Sequence, residues 1–145
     1  MVYYIIAAYQ NKRGDVLLNA TATNEIGVNT STNSVEILIS PMNFMKLGET
    51  ITGIFGNCVK DPYWSEDKKG SVDEFLGIKS YSEFRKEHLH VIITLDHYEK
   101  EYTLKPTKRK NNGYVSEGKD YMILSTESNY DSLGEALLKV FQSAR

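Results

Sequence analysis

A chain of 145 residues can bury one compact core, and 41% apolar with 25% charged residues is the balance of an ordinary soluble globular domain. A formal net charge of −2 excludes a surface that is basic throughout, which argues against a protein whose whole face grips nucleic acid. The only cysteine, Cys58, cannot form a disulfide within the chain, and this points to a reducing cytoplasm.

The first run, "VYYIIAAY" (2–9), is apolar but too short to span a bilayer, and no basic segment precedes it. It reads as a first β-strand. Ten tyrosines against one tryptophan fit half-buried strand faces. The turn "NKRGD" leads to a second strand, "VLLNATAT". A polar stretch with Gly27 makes the next turn and has room for a short strand near "GVNTS" before a third strand, "SVEILIS". Phe44, Leu47, Ile51, Ile54 and Phe55 then fall at i, i+3, i+7, i+10 and i+11, which predicts a helix with one apolar face.

Residues 56–88 are punctuated by Pro62, Gly70 and Gly77. They end on "SYSEFRKEH", a short helix capped at Ser80 with Glu83 completing a capping box. The strand "HVIITLDHY" follows, then the turn "EKE" and the strand "YTLKPTKR". A turn at Gly113 comes next, with room for a short strand near "GYVSE", then the strand "DYMILST". The last helix carries Tyr130, Leu133, Leu137, Val140 and Phe141 on one face. Ser128 with Asp131, and Ser132 with Glu135, both offer caps for it.

This element order occurs twice. Displacing the chain by 86 residues lays 15–55 on 101–141 without a gap, with identity at ten of 41 positions, among them Asn43/Asn129, Leu47/Leu133, Gly48/Gly134, Glu49/Glu135 and Phe55/Phe141. The prediction is a single domain, 1–145, built of repeat one (1–55), an insert (56–88) and repeat two (89–145). Its class is α+β, with mainly antiparallel sheets and two pseudo-twofold-related, strand-rich repeats that each end in a helix. Gly48 and Gly134 sit inside the first helical turns, where glycine costs about 1 kcal/mol relative to alanine. The same cost at the same place twice predicts close approach of helix to sheet.

No catalytic constellation stands out, and the expectation is a protein that is not an enzyme and needs no cofactor. His88 and His90 share one face at the start of a strand, with Asp96 and His97 at its far end. About six residues at ~3.3 Å each keep the two groups from sharing one ion, so these read as strand-surface histidines rather than a metal site. Cys58, just past an apolar helix, reads as a small buried hydrophobe rather than a nucleophile. There is no phosphate-binding glycine loop, nucleophile elbow or spaced Cys/His set.

Two charged stretches stand apart. "KPTKRK" gathers Lys105, Lys108, Arg109 and Lys110 and reads as a solvated strand end whose lysines blunt a sheet edge; its alternative is a track for phosphates. "DPYWSEDKKGSVDEF" (61–75) sets Asp61, Glu66, Asp67, Asp73 and Glu74 beside Tyr63 and Trp64. Either Trp64 packs onto the fold and the acids are solvated, or aromatics and acids together make a docking surface for a basic protein.

"LGIKSYSEFRKE" (76–87), "YTLKPTKR" (102–109) and "LGEALLKVFQSAR" (133–145) resemble the immunity proteins of bacterial contact-dependent growth inhibition systems, the CdiI family. The likeness is good over the last half of the chain and looser over the first. It implies a cytoplasmic protein, with no membrane partner, that binds the C-terminal toxin domain of a large secreted effector. Such toxins are commonly nucleases, an RNase being the first expectation. It also implies a Whirly-like fold. Whirly-type proteins bind single-stranded nucleic acid, but their lysine-rich "KGKAAL" signature has no counterpart here, so that activity is the alternative rather than the expectation. The family carries over no catalytic residues. The residues expected to touch the partner are Tyr63, Trp64, Glu66, Asp67, Asp73 and Glu74.

Overall fold

The computed structural model describes residues 4–23, 29–60, 80–111, 113–116 and 118–145. Among them the element order is β1 (Tyr4–Asn11), β2 (Val16–Thr23), β3 (Asn29–Leu38), α1 (Phe44–Lys60), α2 (Tyr81–Glu87), β4 (His88–Asp96), β5 (Glu101–Lys110), β6 (Gly113–Ser116), β7 (Met122–Ser125) and α3 (Tyr130–Phe141). The strands lie in the order β3-β2-β1-β4-β5-β6, with β7 also paired to β5, and the class is α+β. Every pairing is antiparallel. At the centre β1 meets β4 over its whole length, from Tyr4↔Leu95 to Asn11↔His88.

The two polar stretches fold differently. In the first half the expected short strand merges with "SVEILIS" into one ten-residue β3. A register shift opposite Asn19 and Thr21 absorbs the irregularity. The buried Asn19 side chain spans it, donating to the carbonyls of Thr32 (3.0 Å) and Ser34 (3.1 Å). In the second half β6 and β7 stay separate, on Thr107–Lys110 and Glu101–Leu104 of β5. Between them Gly118 (φ +69°) and Asp120 (φ +56°) take left-handed conformations that no ladder continues through.

Strand alternation divides the sheet into two faces. Ile6, Ala8, Val16, Leu18, Val91, Ile93, Tyr102 and Leu104 point to one side, where they form a core with Leu47, Ile51, Ile54 and Phe55 of α1 and Leu133, Leu137, Val140 and Phe141 of α3. Ala7, Tyr9 and Leu17 point to the other, where Phe84 of α2 packs on them. Cys58 lies in the first core, as expected of a small hydrophobe. Burial pushes its thiol up to about 11.

The capping sites differ from those expected. α2 does start at Ser80, which accepts from the Glu83 amide at 3.3 Å. α3 is capped by Asn129, which accepts from the Ser132 amide at 2.8 Å, and not by Ser128 or Ser132. Asn43 does the same for α1, accepting from the Lys46 amide at 2.9 Å. Asparagine caps as well as serine, and here it sits one residue before the first apolar position of each helix. A second anchor holds the approach to α1. Asp15, in the β1–β2 turn, accepts from the Ser40 amide at 2.8 Å and from Asn11 and Arg13. These bonds hold its carboxyl below the usual carboxylate range.

Gly48 and Gly134 mark a close approach, but of helix to helix rather than helix to sheet. A Cβ on Gly48 would lie 2.0 Å from the Tyr130 carbonyl oxygen, and one on Gly134 would lie 2.1 Å from that of Phe44. Each glycine of one helix faces the first residue of the other, so the helices cross antiparallel over their first turns. Gly56, by contrast, has no atom within 4 Å of such a Cβ. Gly48→Ala should therefore destabilise the fold by roughly 2 kcal/mol or more, while Gly56→Ala should stabilise it by about 0.5–1 kcal/mol. Urea unfolding of the two variants measures both; equal effects would remove the helix crossing as the cause.

Candidate functional site

The second sheet face carries a knot of rings. Tyr9 stacks on His90, with centroids 4.9 Å apart, and meets Phe84 edge-on at 5.0 Å. Tyr114 tilts against His90 at 4.6 Å. His88 stacks on Phe84 at 3.9 Å. The alternation of β4 places both histidines on this face, as expected, but they are built into it rather than lying on the surface.

The hydrogen-bond pattern assigns the tautomer of His90. The Thr107 hydroxyl donates to the His90 carbonyl at 2.8 Å, so it can only accept from Nδ1, 3.2 Å away. Nδ1 therefore carries the proton. Burial pushes the imidazole down to about 4, so it is neutral at pH 7. Burial also lowers His88, whose Nδ1 donates to the Phe84 carbonyl at 2.8 Å. His97 lies beyond the far end of β4, edge-on to Tyr4. Among the described residues no group of three His, Cys, Asp or Glu side chains could hold a metal ion.

The basic stretch has a structural task. The Arg109 side chain donates to the carbonyls of Arg85 (2.5 Å), Lys86 (3.4 Å) and His88 (3.0 Å). A planar guanidinium with five donors is suited to gather the orphan carbonyls at the end of α2. Arg85 in turn donates to the Asn111 carbonyl. The Tyr114 hydroxyl adds a bond to His88 O at 3.0 Å, and burial pushes that phenol up to about 12, so it stays a donor. Nor is this half of β5 a sheet edge. It pairs with β6, and Arg145 also bonds to it through Thr107 O and Arg109 N. β4 has diverged there, so those two groups need another partner. Lys105 and Lys110 are exposed.

A second feature lies at the opposite end of the sheet. β3 is its terminal strand, and a groove of about 400 Å³ runs between β3 and α1. Glu36, Ile37 and Leu38 line it from the strand; Lys46, Glu49, Gly53 and Ile54 line it from the helix. Asn57 donates to the Ser34 hydroxyl across it at 2.6 Å.

The residues expected to meet a partner, Tyr63, Trp64, Glu66, Asp67, Asp73 and Glu74, lie outside the described residues. What is described is their anchorage. α1 runs to Lys60, five residues past the expected end of its apolar face, and the chain re-enters at the Ser80 cap of α2. The clamp on α2 was not anticipated. Its only sequence signal was an arginine two residues before a turn.

Two outcomes follow from these contacts. Because the folded state holds His90 near 4 while an unfolded histidine titrates near 6.5, the unfolded state takes the proton first. Stability should be full above pH 6.5 and fall by on the order of 3 kcal/mol towards pH 4, with His88 adding in the same direction. Urea unfolding at several pH values tests this, and His90→Phe should reduce the slope. Arg109→Ala should lower amide-exchange protection across α2 while leaving β1 and β4 protected; uniform loss across the sheet would contradict the clamp.

No family model matches the chain, and no curated protein matches its sequence. Solved structures do match its fold. One is a protein of unknown function from Neisseria meningitidis, with TM-score 0.75 and 16% identity over 99% of this chain and 96% of that one. Another is a chain of the CdiA-CT/CdiI toxin and immunity complex from Yersinia pseudotuberculosis, with TM-score 0.71 and 12% identity over 100% of this chain and 99% of that one. The fold is that of a chain seen in a toxin–immunity complex.

Proposed function

We propose that this chain is an immunity protein of the CdiI type. It binds the C-terminal toxin domain of a contact-dependent growth inhibition effector and neutralises it by covering the active site or the substrate surface. The observation that carries this reading is the end-to-end match in fold to a chain of a toxin and immunity complex. The toxin is taken to be a nuclease, an RNase first, and the site of action the cytoplasm. The mode is binding rather than catalysis. Burial holds His90 near 4, a weak base locked between tyrosines, and Cys58 is buried with its thiol raised, so neither is disposed to act as base or nucleophile.

The same reading takes the fold as a duplicated, Whirly-like unit. Its support is register. Val16↔Leu38, Leu17↔Ile37 and Leu18↔Glu36, each moved by 86 residues, become Tyr102↔Leu124, Thr103↔Ile123 and Leu104↔Met122, which are the observed β5–β7 pairs. The Asn43 and Asn129 caps, and the Gly48 and Gly134 contacts, obey the same displacement. The single-stranded nucleic-acid alternative has less behind it, since Arg109 of the basic stretch is committed to α2.

Partner contact is assigned to Tyr63, Trp64, Glu66, Asp67, Asp73 and Glu74. A nuclease presents a basic surface to its substrate, and carboxylates on an inhibitor can stand in for phosphates. Reversing the charges of Glu66, Asp67, Asp73 and Glu74 together should weaken binding of the cognate toxin domain by about tenfold or more and flatten its salt dependence. Titration calorimetry reads both, and unchanged affinity would move the surface elsewhere. Failure of the wild-type chain to rescue cells that express the toxin domain would remove the immunity reading itself.

A further inference from the structure

We infer that the groove between β3 and α1 is a docking site for an extended, cationic segment of the partner protein. The inference rests on the immunity reading above and adds a second contact region to it. Its first support is Gly53. This residue lies in the middle of α1, is exposed, and lines the groove. Glycine is the weakest helix former after proline. Gly48 in the same helix is explained by the carbonyl it meets, but a Cβ on Gly53 would find no atom within 4 Å. Nothing described in this chain requires a bare backbone there. At the position 86 residues on, the second helix carries Lys139, so the repeat does not demand glycine either.

The second support is charge. Glu36 projects from β3 and Glu49 from α1 into the same groove, and neither forms an ion pair or hydrogen bond among the described residues. Among the described residues only one cation, Lys46, lines the groove with them. Beneath the carboxylates lie Leu38, partly buried, and Ile54, buried, both part of the core on this face, while Ile37, paired with Leu17, points to the other side of the sheet. A segment that carries Lys or Arg would satisfy the two carboxylates, with the cation between them and its aliphatic stem over Leu38. Gly53 would let the segment lie directly against the helix backbone. A nuclease partner, basic where it meets its substrate, has such segments to offer.

The test is titration calorimetry of the full chain against its cognate toxin domain. Gly53→Lys fills the groove and adds a positive charge where no neighbour is displaced, so its melting temperature should equal or exceed that of the wild type. Its affinity for the toxin domain should fall by about tenfold or more. Gly53→Ala, which adds one methyl group, should lose less. Glu36→Gln with Glu49→Gln should weaken binding and reduce its dependence on salt. If the wild type binds and Gly53→Lys binds within about twofold of it, the groove is not part of the interface, and the immunity reading stands without it. If the wild type does not bind, both fall together.

Discussion

The crossing of α1 and α3 is the constraint on which the rest of the structure depends. At Gly48 and Gly134 the space beside each Cα is occupied by a backbone carbonyl of the other helix, so only a hydrogen fits. Both touched carbonyls belong to the first residues of their helices, Tyr130 and Phe44. The crossing therefore requires each helix to begin at a fixed residue, and Asn43 and Asn129 supply that start by capping it. With the helices locked at their first turns, Leu47 and Leu133 sit beside the crossing, and Ile51 and Leu137 follow one turn later over the sheet. The exposed Phe44 and Tyr130 mark its outer side.

Committing both long helices to one face leaves the other face of an apolar sheet to be handled by different means. The solution is local and asymmetric. α2, only seven residues long, cannot hold itself by helix propensity. It is held by Phe84 among the rings and by Arg109 and Tyr114 on its terminal carbonyls. The histidines serve packing here. An imidazole fills the volume of a small aromatic, and one hydroxyl, that of Thr107, satisfies its single proton. The cost of this arrangement appears only in acid, when the neutral form is no longer the preferred one in water.

Much of this was legible in the residues, and what was not has physical reasons. The succession of strands along the chain, both long helices and the Ser80 cap follow from periodicity and turn chemistry, which act over a few residues, whereas the order of strands in the sheet does not. The doubled glycines correctly signalled a close approach. They could not say to what, because a missing Cβ reports lost space and not the identity of its occupant. Capping-box spacing favours the serines at 128 and 132, but the identity of Asn43 with Asn129 is the better signal. Arg109 was read by charge as a surface cation. Its real partners are main-chain carbonyls from 21 to 24 residues away, which carry no sequence signature at all.

When the chain is displaced by 86 residues, the positions where the two halves disagree separate into two kinds. Some serve the architecture: Thr23 corresponds to Arg109, and only the second half has an α2 to clamp. Ser34 corresponds to Asp120, and only the second half breaks its outer strand. Others serve no contact within the described chain. Gly53 opposite Lys139 is of this kind. The two halves share the caps, the crossing glycines and the apolar helix face. Gly53 lies outside that shared set, and no contact within the described chain accounts for it.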